Sequence, residues 1–167
     1  MFDPPENQPY CTISTDQINT PDHQALALQA ARESIILLQN DGALPLDMSK
    51  KVALIGPNAN ATATMQGNYN GNAPFLISPL EGLQKIGATV TYAQGCDVGC
   101  TSDSGFADAV NAAKAADAVV VIIGLDLSQE RCVCIHTFSP LPNLCRHIFF
   151  HFLLQLKNKC CLVLCGL

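Results

Sequence analysis

Glu130 is a carboxylate of this sequence that could take part in acid–base chemistry. It stands at the end of the run Gly-Leu-Asp-Leu-Ser-Gln-Glu, residues 124–130, which follows the apolar stretch 118–123. A carboxyl group in such a loop can donate and accept a proton near neutral pH if burial raises its pKa. The simpler interpretation is an ordinary exposed loop carboxylate.

Two further groups could be modified covalently. Cys96 and Cys100 are four residues apart in a glycine-containing loop, and they either form a disulfide in an oxidising compartment or serve as two small apolar side chains. We favour the disulfide. Asn60 opens the triplet Asn-Ala-Thr, an acceptor for N-glycosylation on a predicted loop, although such triplets also occur by chance.

Metal and cofactor sites are not expected. His147 and His151 are four residues apart with Cys145 nearby, but a zinc site also needs a fourth ligand, and no cysteine pairs show zinc-finger spacing. The stretch 56–58, Gly-Pro-Asn, follows a predicted strand but lacks the Gly-x-Gly-x-x-Gly spacing of dinucleotide sites. We therefore predict no metal and no cofactor.

Alternating elements must position these groups. A helix is predicted to start at Pro21, capped by Thr20, and to stop at Gly42. Its apolar face would comprise Leu28, Ala31, Ile35 and Leu38. Short apolar runs predict strands at 52–55, 89–92 and 118–123, with a helix between each pair. The first of these helices has the capping-box pair Ser78 and Glu81 and ends near Gly87, and the second runs from about Phe106 to Ala116 with Asp103 and Ser104 as caps.

This order predicts an α/β fold, a three-layer αβα sandwich with a mainly parallel sheet that is incomplete in this chain. The loops after strands 52–55 and 118–123 should leave the same edge of that sheet, where ligand crevices form in such folds. Glu130 therefore falls where a site is expected.

Length and charge narrow the classes of partner. The 167 residues suffice for one domain, and 49% of them are apolar, which favours a globular fold. A net charge of −5, with no basic patch before residue 132, argues against nucleic acid. The apolar run 148–154 is too short to span a bilayer, and no signal-peptide pattern is visible at the start.

Several segments, in order, resemble β-xylosidase-like members of glycoside hydrolase family 3. They are Phe2–Pro5, His23–Leu46, Val52–Asn60, Gly67–Tyr69, Gly95–Cys100 and Val119–Glu130. The first resembles the end of the family's (β/α)₈ catalytic barrel, and the others resemble the α/β domain that follows it. The resemblance covers residues 1 to 131 and is specific because the separate motifs occur in the right order.

The resemblance implies a retaining exo-β-glycosidase that uses two carboxyl groups about 5–5.5 Å apart. Glu130 resembles the general acid/base, whereas the nucleophilic Asp belongs to the barrel, so we expect no nucleophile in these 167 residues. The implied parent is a β-D-xylosidase with α-L-arabinofuranosidase as a possible second activity. It would act on xylo-oligosaccharides, need no cofactor, and be extracellular or in the secretory pathway.

The same resemblance divides the chain into three parts. Residues 1–22 would be a linker from the barrel, residues 23–131 a partial α/β domain, and residues 132–167 an aberrant tail from a retained intron, a frameshift or a faulty gene model. The tail has no Asp or Glu and six of the nine cysteines. We expect a fragment that is inactive alone. The alternative is a non-catalytic α/β remnant or a weak carbohydrate-binding module.

Overall fold

A computed structural model describes residues 4–66, 71–124 and 126, together with the backbone of residues 160–166. The chain forms two compact units, Met1–Asp41 and Gly42–Leu167, and each is described by itself. Glu130, Cys145, His147 and His151 lie outside the described residues. No helix among the described residues is both long enough and apolar enough to cross a membrane.

The first unit contains two short 3₁₀ turns, Pro5–Asn7 and Thr15–Gln17, followed by helix α1, Pro21–Ser34. The Thr20 hydroxyl accepts a hydrogen bond from the His23 backbone N–H at 3.3 Å, which confirms the predicted cap. The predicted end of the helix was wrong, because α1 stops at Ser34 and Gly42 lies well beyond it.

Two local causes account for the early end of α1. The Ser34 hydroxyl donates to the Ala31 carbonyl at 2.9 Å, and the next two residues, Ile35 and Ile36, are β-branched. Both features weaken helix propagation. Ile35 is therefore extended (φ −79°, ψ 118°), and Ile35 and Leu38 do not share a helical face with Leu28 as predicted.

The second unit contains a parallel sheet of strands β1 (Lys51–Ile55), β2 (Thr89–Ala93), β3 (Ala118–Gly124) and β4 (Cys160–Gly166). The strand order is β2-β1-β3-β4, and every neighbouring pair is parallel. Helix α2, Pro79–Lys85, connects β1 to β2, and helix α3, Phe106–Ala115, connects β2 to β3. The fold is α/β, and the three strands predicted from the sequence are confirmed.

Alternate residues of the central strands bury both faces of the sheet. One face packs Ala53, Ile55, Val119 and Val121 against four alanines, Ala109, Ala112, Ala113 and Ala116, of α3 and the residue after it. The other face packs Val52, Leu54, Val120 and Ile122 against Leu80 and Leu83 of α2. A strand that is buried on both faces must be apolar throughout, which explains the continuous runs in β1 and β3. Two helical layers therefore enclose one sheet.

The sequence predicted the N-cap of α2 correctly but not the N-cap of α3. The Ser78 hydroxyl accepts from the Glu81 N–H at 3.2 Å, as predicted, whereas the Glu81 carboxylate pairs with Lys85 at 2.8 Å. For α3 the predicted caps Asp103 and Ser104 were wrong, because Gly105 is the N-cap and makes no side-chain cap bond.

Strand β4 was not predicted from the sequence. It pairs with the whole of β3, from Ala118 opposite Cys160 to Gly124 opposite Gly166. It belongs to the segment 132–167 that we interpret as an aberrant tail, and that interpretation of the tail's origin stays a prediction. The pairing gives β3 a neighbour on each side, so β2 and β4 are the edge strands of the described sheet.

Candidate functional site

The carboxyl edge of the sheet contains a point where the chain changes direction. From β1 the chain crosses through α2 on one face to β2, and from β2 it returns through α3 on the other face to β3, on the far side of β1. The next strand after β1 in sequence, β2, thus lies on one side of the adjacent pair β1 and β3, and the next described strand after β3, β4, lies on the other side. In open α/β sheets such a switch point leaves a crevice in which ligands bind.

Gly56 closes the end of β1 against β3. Its φ is +124°, and a Cβ at this position would overlap the carbonyl group of Ile122. Its N–H donates to the Ala93 carbonyl of β2 at 3.2 Å. Only glycine fits this close approach between β1 and β3. The turn that follows β1 therefore begins beside the crevice.

The turn after Gly56 is tied to the start of α2. The Leu80 N–H donates to the Ala59 carbonyl at 3.0 Å, and the Ser78 hydroxyl donates to Asn60 Oδ1 at 3.1 Å. Ser78 is 3% exposed and Ala59 is completely buried. The side-chain oxygen of Asn58 is buried too, and it has no hydrogen-bond partner among the described residues. A buried acceptor without a hydrogen-bond donor lowers the stability of the fold. Asn58 and Asn60 are therefore two polar residues near the switch point, and the side-chain oxygen of Asn58 still lacks a donor among the described residues.

The loop after β2 is held by covalent and polar contacts. Cys96 and Cys100 are joined by a disulfide, with their Cα atoms 5.2 Å apart. Between them, the Asp97 carboxylate accepts hydrogen bonds from the Thr101 N–H at 2.7 Å and the Thr101 hydroxyl at 2.8 Å. These two bonds hold the pKa of Asp97 below its ordinary value of 3.8.

A shallow pocket of 560 Å³ lies beside this loop, between the end of β2 and the start of α3. Its polar wall includes Asp97, Thr101, Ser102 and Asp108. The Tyr92 side chain packs against the other face of the sheet, and its partial burial raises the pKa of its phenol. Neither this pocket nor the burial of Asn58 was predicted from the sequence. Asp97 and Thr101 are four residues apart, not the two of an Asx turn, and nothing local indicates that Asn58 is buried.

The structure describes some of the candidate site residues but not all of them. Asn60 lies at the switch-point turn, and Cys96 and Cys100 form the neighbouring loop. Glu130 lies six residues after Gly124, the end of β3, and outside the described residues. Asp126, two residues after β3, is half-buried. Among the described residues no group of three His, Cys, Asp or Glu side chains could hold a metal ion.

Residues 35–137 match the model of the glycosyl hydrolase family 3 C-terminal domain. The chain belongs to this family. The matched segment contains β1, β2, β3 and Glu130, and it starts within the apolar stretch after α1.

Curated relatives of this family 3 domain include exo-xylosidases of fungi. The chain is 48% identical over 126 residues to the exo-1,4-beta-xylosidase xlnD of Emericella nidulans, covering 75% of this chain and 16% of that protein. It is 45% identical over 129 residues to the probable exo-1,4-beta-xylosidase bxlB of Aspergillus terreus, covering 77% of this chain and 17% of that protein. The chain therefore spans about a sixth of the length of these relatives.

Solved structures agree with this assignment. A GH3 exo-beta-xylosidase, XlnD, in complex with a xylobiose aziridine activity-based probe superposes with a TM-score of 0.69 at 46% identity, covering 75% of this chain and 16% of that one. The GH3 beta-glucosidase of Bifidobacterium adolescentis superposes with a TM-score of 0.75 at 27% identity, covering 93% and 23% respectively. The fold of the family 3 domain is therefore shared between xylosidases and glucosidases.

Proposed function

We propose that this family 3 domain supplies Glu130 as the general acid/base of a retaining exo-β-D-xylosidase that acts on xylo-oligosaccharides. The observation that carries the proposal is the 42–48% identity to proteins named exo-1,4-beta-xylosidases. The topology supports it, because Glu130 follows the strand that borders the switch point.

The chemistry proceeds in two displacements. A carboxylate nucleophile attacks the anomeric carbon while Glu130 donates its proton to the departing glycosidic oxygen, so that a covalent xylosyl-enzyme forms and the shortened oligosaccharide leaves. Glu130, now a carboxylate, then takes a proton from water. The resulting hydroxide equivalent attacks the same carbon, which releases xylose with retained configuration and restores both carboxyl groups.

The nucleophile is proposed to come from a (β/α)₈ barrel, as the family resemblance implies. Such a barrel takes about 250 residues, more than these 167. Because both carboxyl groups must flank one bond, the 167-residue chain alone should not turn over a glycoside. An α-L-arabinofuranosidase activity would use the same two groups on a sugar of similar shape, and a panel of aryl glycosides would resolve the two.

A chimera tests the role of Glu130 directly. Residues 35–131 of this chain would replace the corresponding segment of the Emericella nidulans exo-xylosidase, whose identity to this chain is 48%. We expect an active chimera in which Glu130→Gln slows hydrolysis of an aryl xyloside with a poor leaving group by about 10²–10⁴-fold. A 2,4-dinitrophenyl xyloside, which needs no protonation to depart, should form the xylosyl-enzyme at a nearly unchanged rate.

Two controls make the experiment decisive. Added azide needs no deprotonation, so it should rescue the Glu130→Gln chimera and yield β-xylosyl azide. Asp103→Asn removes a carboxylate from the loop after β2 and should leave the rate unchanged. An active chimera in which Glu130→Gln slows both substrates equally, without azide rescue, would overturn the assignment. Sugar-dependent protection of the 167-residue chain against heat, without turnover, would instead favour a binding module.

A further inference from the structure

We propose that Asn60 carries an N-linked glycan when this chain folds in the secretory pathway. The triplet Asn60-Ala61-Thr62 is the one Asn-x-Ser/Thr sequence among the 167 residues, and proline occupies neither the middle position nor the one after Thr62. A triplet of this kind is a weak signal by itself. Its place in the fold provides the stronger argument.

The turn that contains Asn60 presents this residue to solvent. Asn60 is exposed, whereas Ala59 immediately before it is completely buried against the sheet. The turn is closed by a hydrogen bond of 3.5 Å from the Ala61 N–H to the Asn58 carbonyl. A bulky, hydrophilic glycan is compatible with a surface position and not with a core position, so the folded domain accommodates it at Asn60.

The hydrogen bond of the Asn60 side chain uses the atom that glycosylation leaves free. Asn60 accepts from the Ser78 hydroxyl through Oδ1. In the transfer reaction Nδ2 forms a bond to the anomeric carbon of a lipid-pyrophosphate-linked oligosaccharide, the bond from that carbon to the pyrophosphate breaks, and a base of the transferase takes the Nδ2 proton. The carbonyl oxygen of the amide is unchanged, so a glycan and the contact with Ser78 can coexist.

The disulfide supports passage through the compartment in which N-glycosylation occurs. Cys96 and Cys100 are bonded in the structure, and Cys100 is 5% exposed. Structural disulfides form and persist in oxidising environments such as the endoplasmic reticulum. Two independent features of the same unit, an acceptor triplet with an exposed asparagine and a bonded cysteine pair, therefore point to the same compartment.

The test is secretion of the 167-residue chain from a eukaryotic host behind a signal peptide and a tag that contains a known acceptor triplet. The tag glycan shows that each molecule reached the transferase. We expect the tryptic peptide with Asn60 to carry a hexosamine-based glycan, and peptide N-glycosidase should remove it and leave aspartate at that position. The modification should be lost in Asn60→Gln and Thr62→Ala and kept in Thr62→Ser.

An Asn60 peptide without glycan, from molecules whose tag is glycosylated, would overturn the proposal. A glycan that persists in Thr62→Ala would overturn it as well, because the acceptor would then lie elsewhere. Peptide mapping of the same samples locates the attachment even where a variant folds poorly, since transfer to the nascent chain does not require the final fold.

Discussion

Two features of the fold require glycine at position 56: the backbone conformation and the close packing against β3. Its φ of +124° disfavours any side chain, and a Cβ would overlap the Ile122 carbonyl of β3. We expect Gly56→Ala to lower the free energy of unfolding by about 2–5 kcal/mol, the sum of a strained φ and an overpacked contact. Urea denaturation of the two proteins measures this difference.

Gly87 is the matched control for that substitution. It also has a positive φ, +85°, but a Cβ there would meet no atom within 4 Å. Gly87→Ala should therefore cost only the backbone contribution, about 1 kcal/mol. Equal losses in the two variants would show that the contact with β3 does not constrain the switch-point turn.

The Asp97 carboxylate makes the stability of the loop after β2 depend on pH. Two hydrogen bonds from Thr101 lower the pKa of Asp97 below 3.8 in the folded state, and the bond from the N–H has a larger effect than the bond from the hydroxyl. A lowered pKa means that the stabilising effect is present above the unfolded pKa and is lost as the pH falls through the folded value. Asp97→Asn should therefore be less stable than the parent at neutral pH, and the difference should vanish well below about pH 4.

Unfolding curves of both proteins across this pH range provide the measurement. Asp47 also has a lowered pKa, through its bonds to Ser49, but it is present in both proteins and cancels in the comparison. Asp103→Asn is the control, because among the described residues the Asp103 carboxylate makes no hydrogen bond. A stability difference for Asp97→Asn that does not change with pH would contradict the expectation.

At the scale of single elements, local sequence predicted what local contacts decide. The hydroxyls of Thr20 and Ser78 cap α1 and α2 as expected, because a cap involves residues only a few positions apart. The start of α3 was mispredicted because a distant contact decides it. A Cβ at Gly105 would overlap the Gly95 carbonyl, so the close approach of the two ends of this loop sets the N-cap and overrides the capping preference of Asp103 and Ser104.

The disulfide between Cys96 and Cys100 restrains an element that contains no regular structure. It closes a loop with a sequence separation of four residues. The loss of chain entropy in the unfolded state should stabilise the unit by about 2 kcal/mol for so short a loop. We expect the double variant Cys96→Ser/Cys100→Ser to unfold at correspondingly lower denaturant concentration, with a similar dependence on denaturant.

Cys11 is the control for this substitution, since it is exposed and not disulfide-bonded. Cys11→Ser should leave the unfolding midpoint unchanged. If the double serine variant were as stable as the parent, and peptide mapping found the two cysteines unlinked in the parent, the covalent restraint would have to be abandoned.

At the scale of the whole molecule, the alternation of elements predicted the layers but not the complete sheet. The runs 52–55 and 118–123 indicate buried strands because both faces of β1 and β3 are covered. The partner of β3 on its other side comes from residues 160–166, about forty positions later in a segment without periodic pattern. Strand pairing over such a separation is set by the sheet edge that needs a partner, which no local signal encodes. Glu130, between these two strands in sequence, was likewise placed by resemblance and topology rather than by a contact.

The pairing of β4 with β3 yields a prediction for the molecule as a unit. A chain that ends at residue 159 would leave the β3 edge, Ala118–Gly124, without its partner strand. In a parallel pair alternate residues of β3 bond to β1 and to β4, so about every second β3 amide should lose protection from hydrogen exchange. The amides of β2, an edge strand in either chain, should exchange as before.

The shortened chain should also self-associate more readily, because an open apolar edge recruits other strands. If β3 were equally protected with and without residues 160–167, β4 would not be part of the folded sheet, and the interpretation of the tail as aberrant sequence would be favoured.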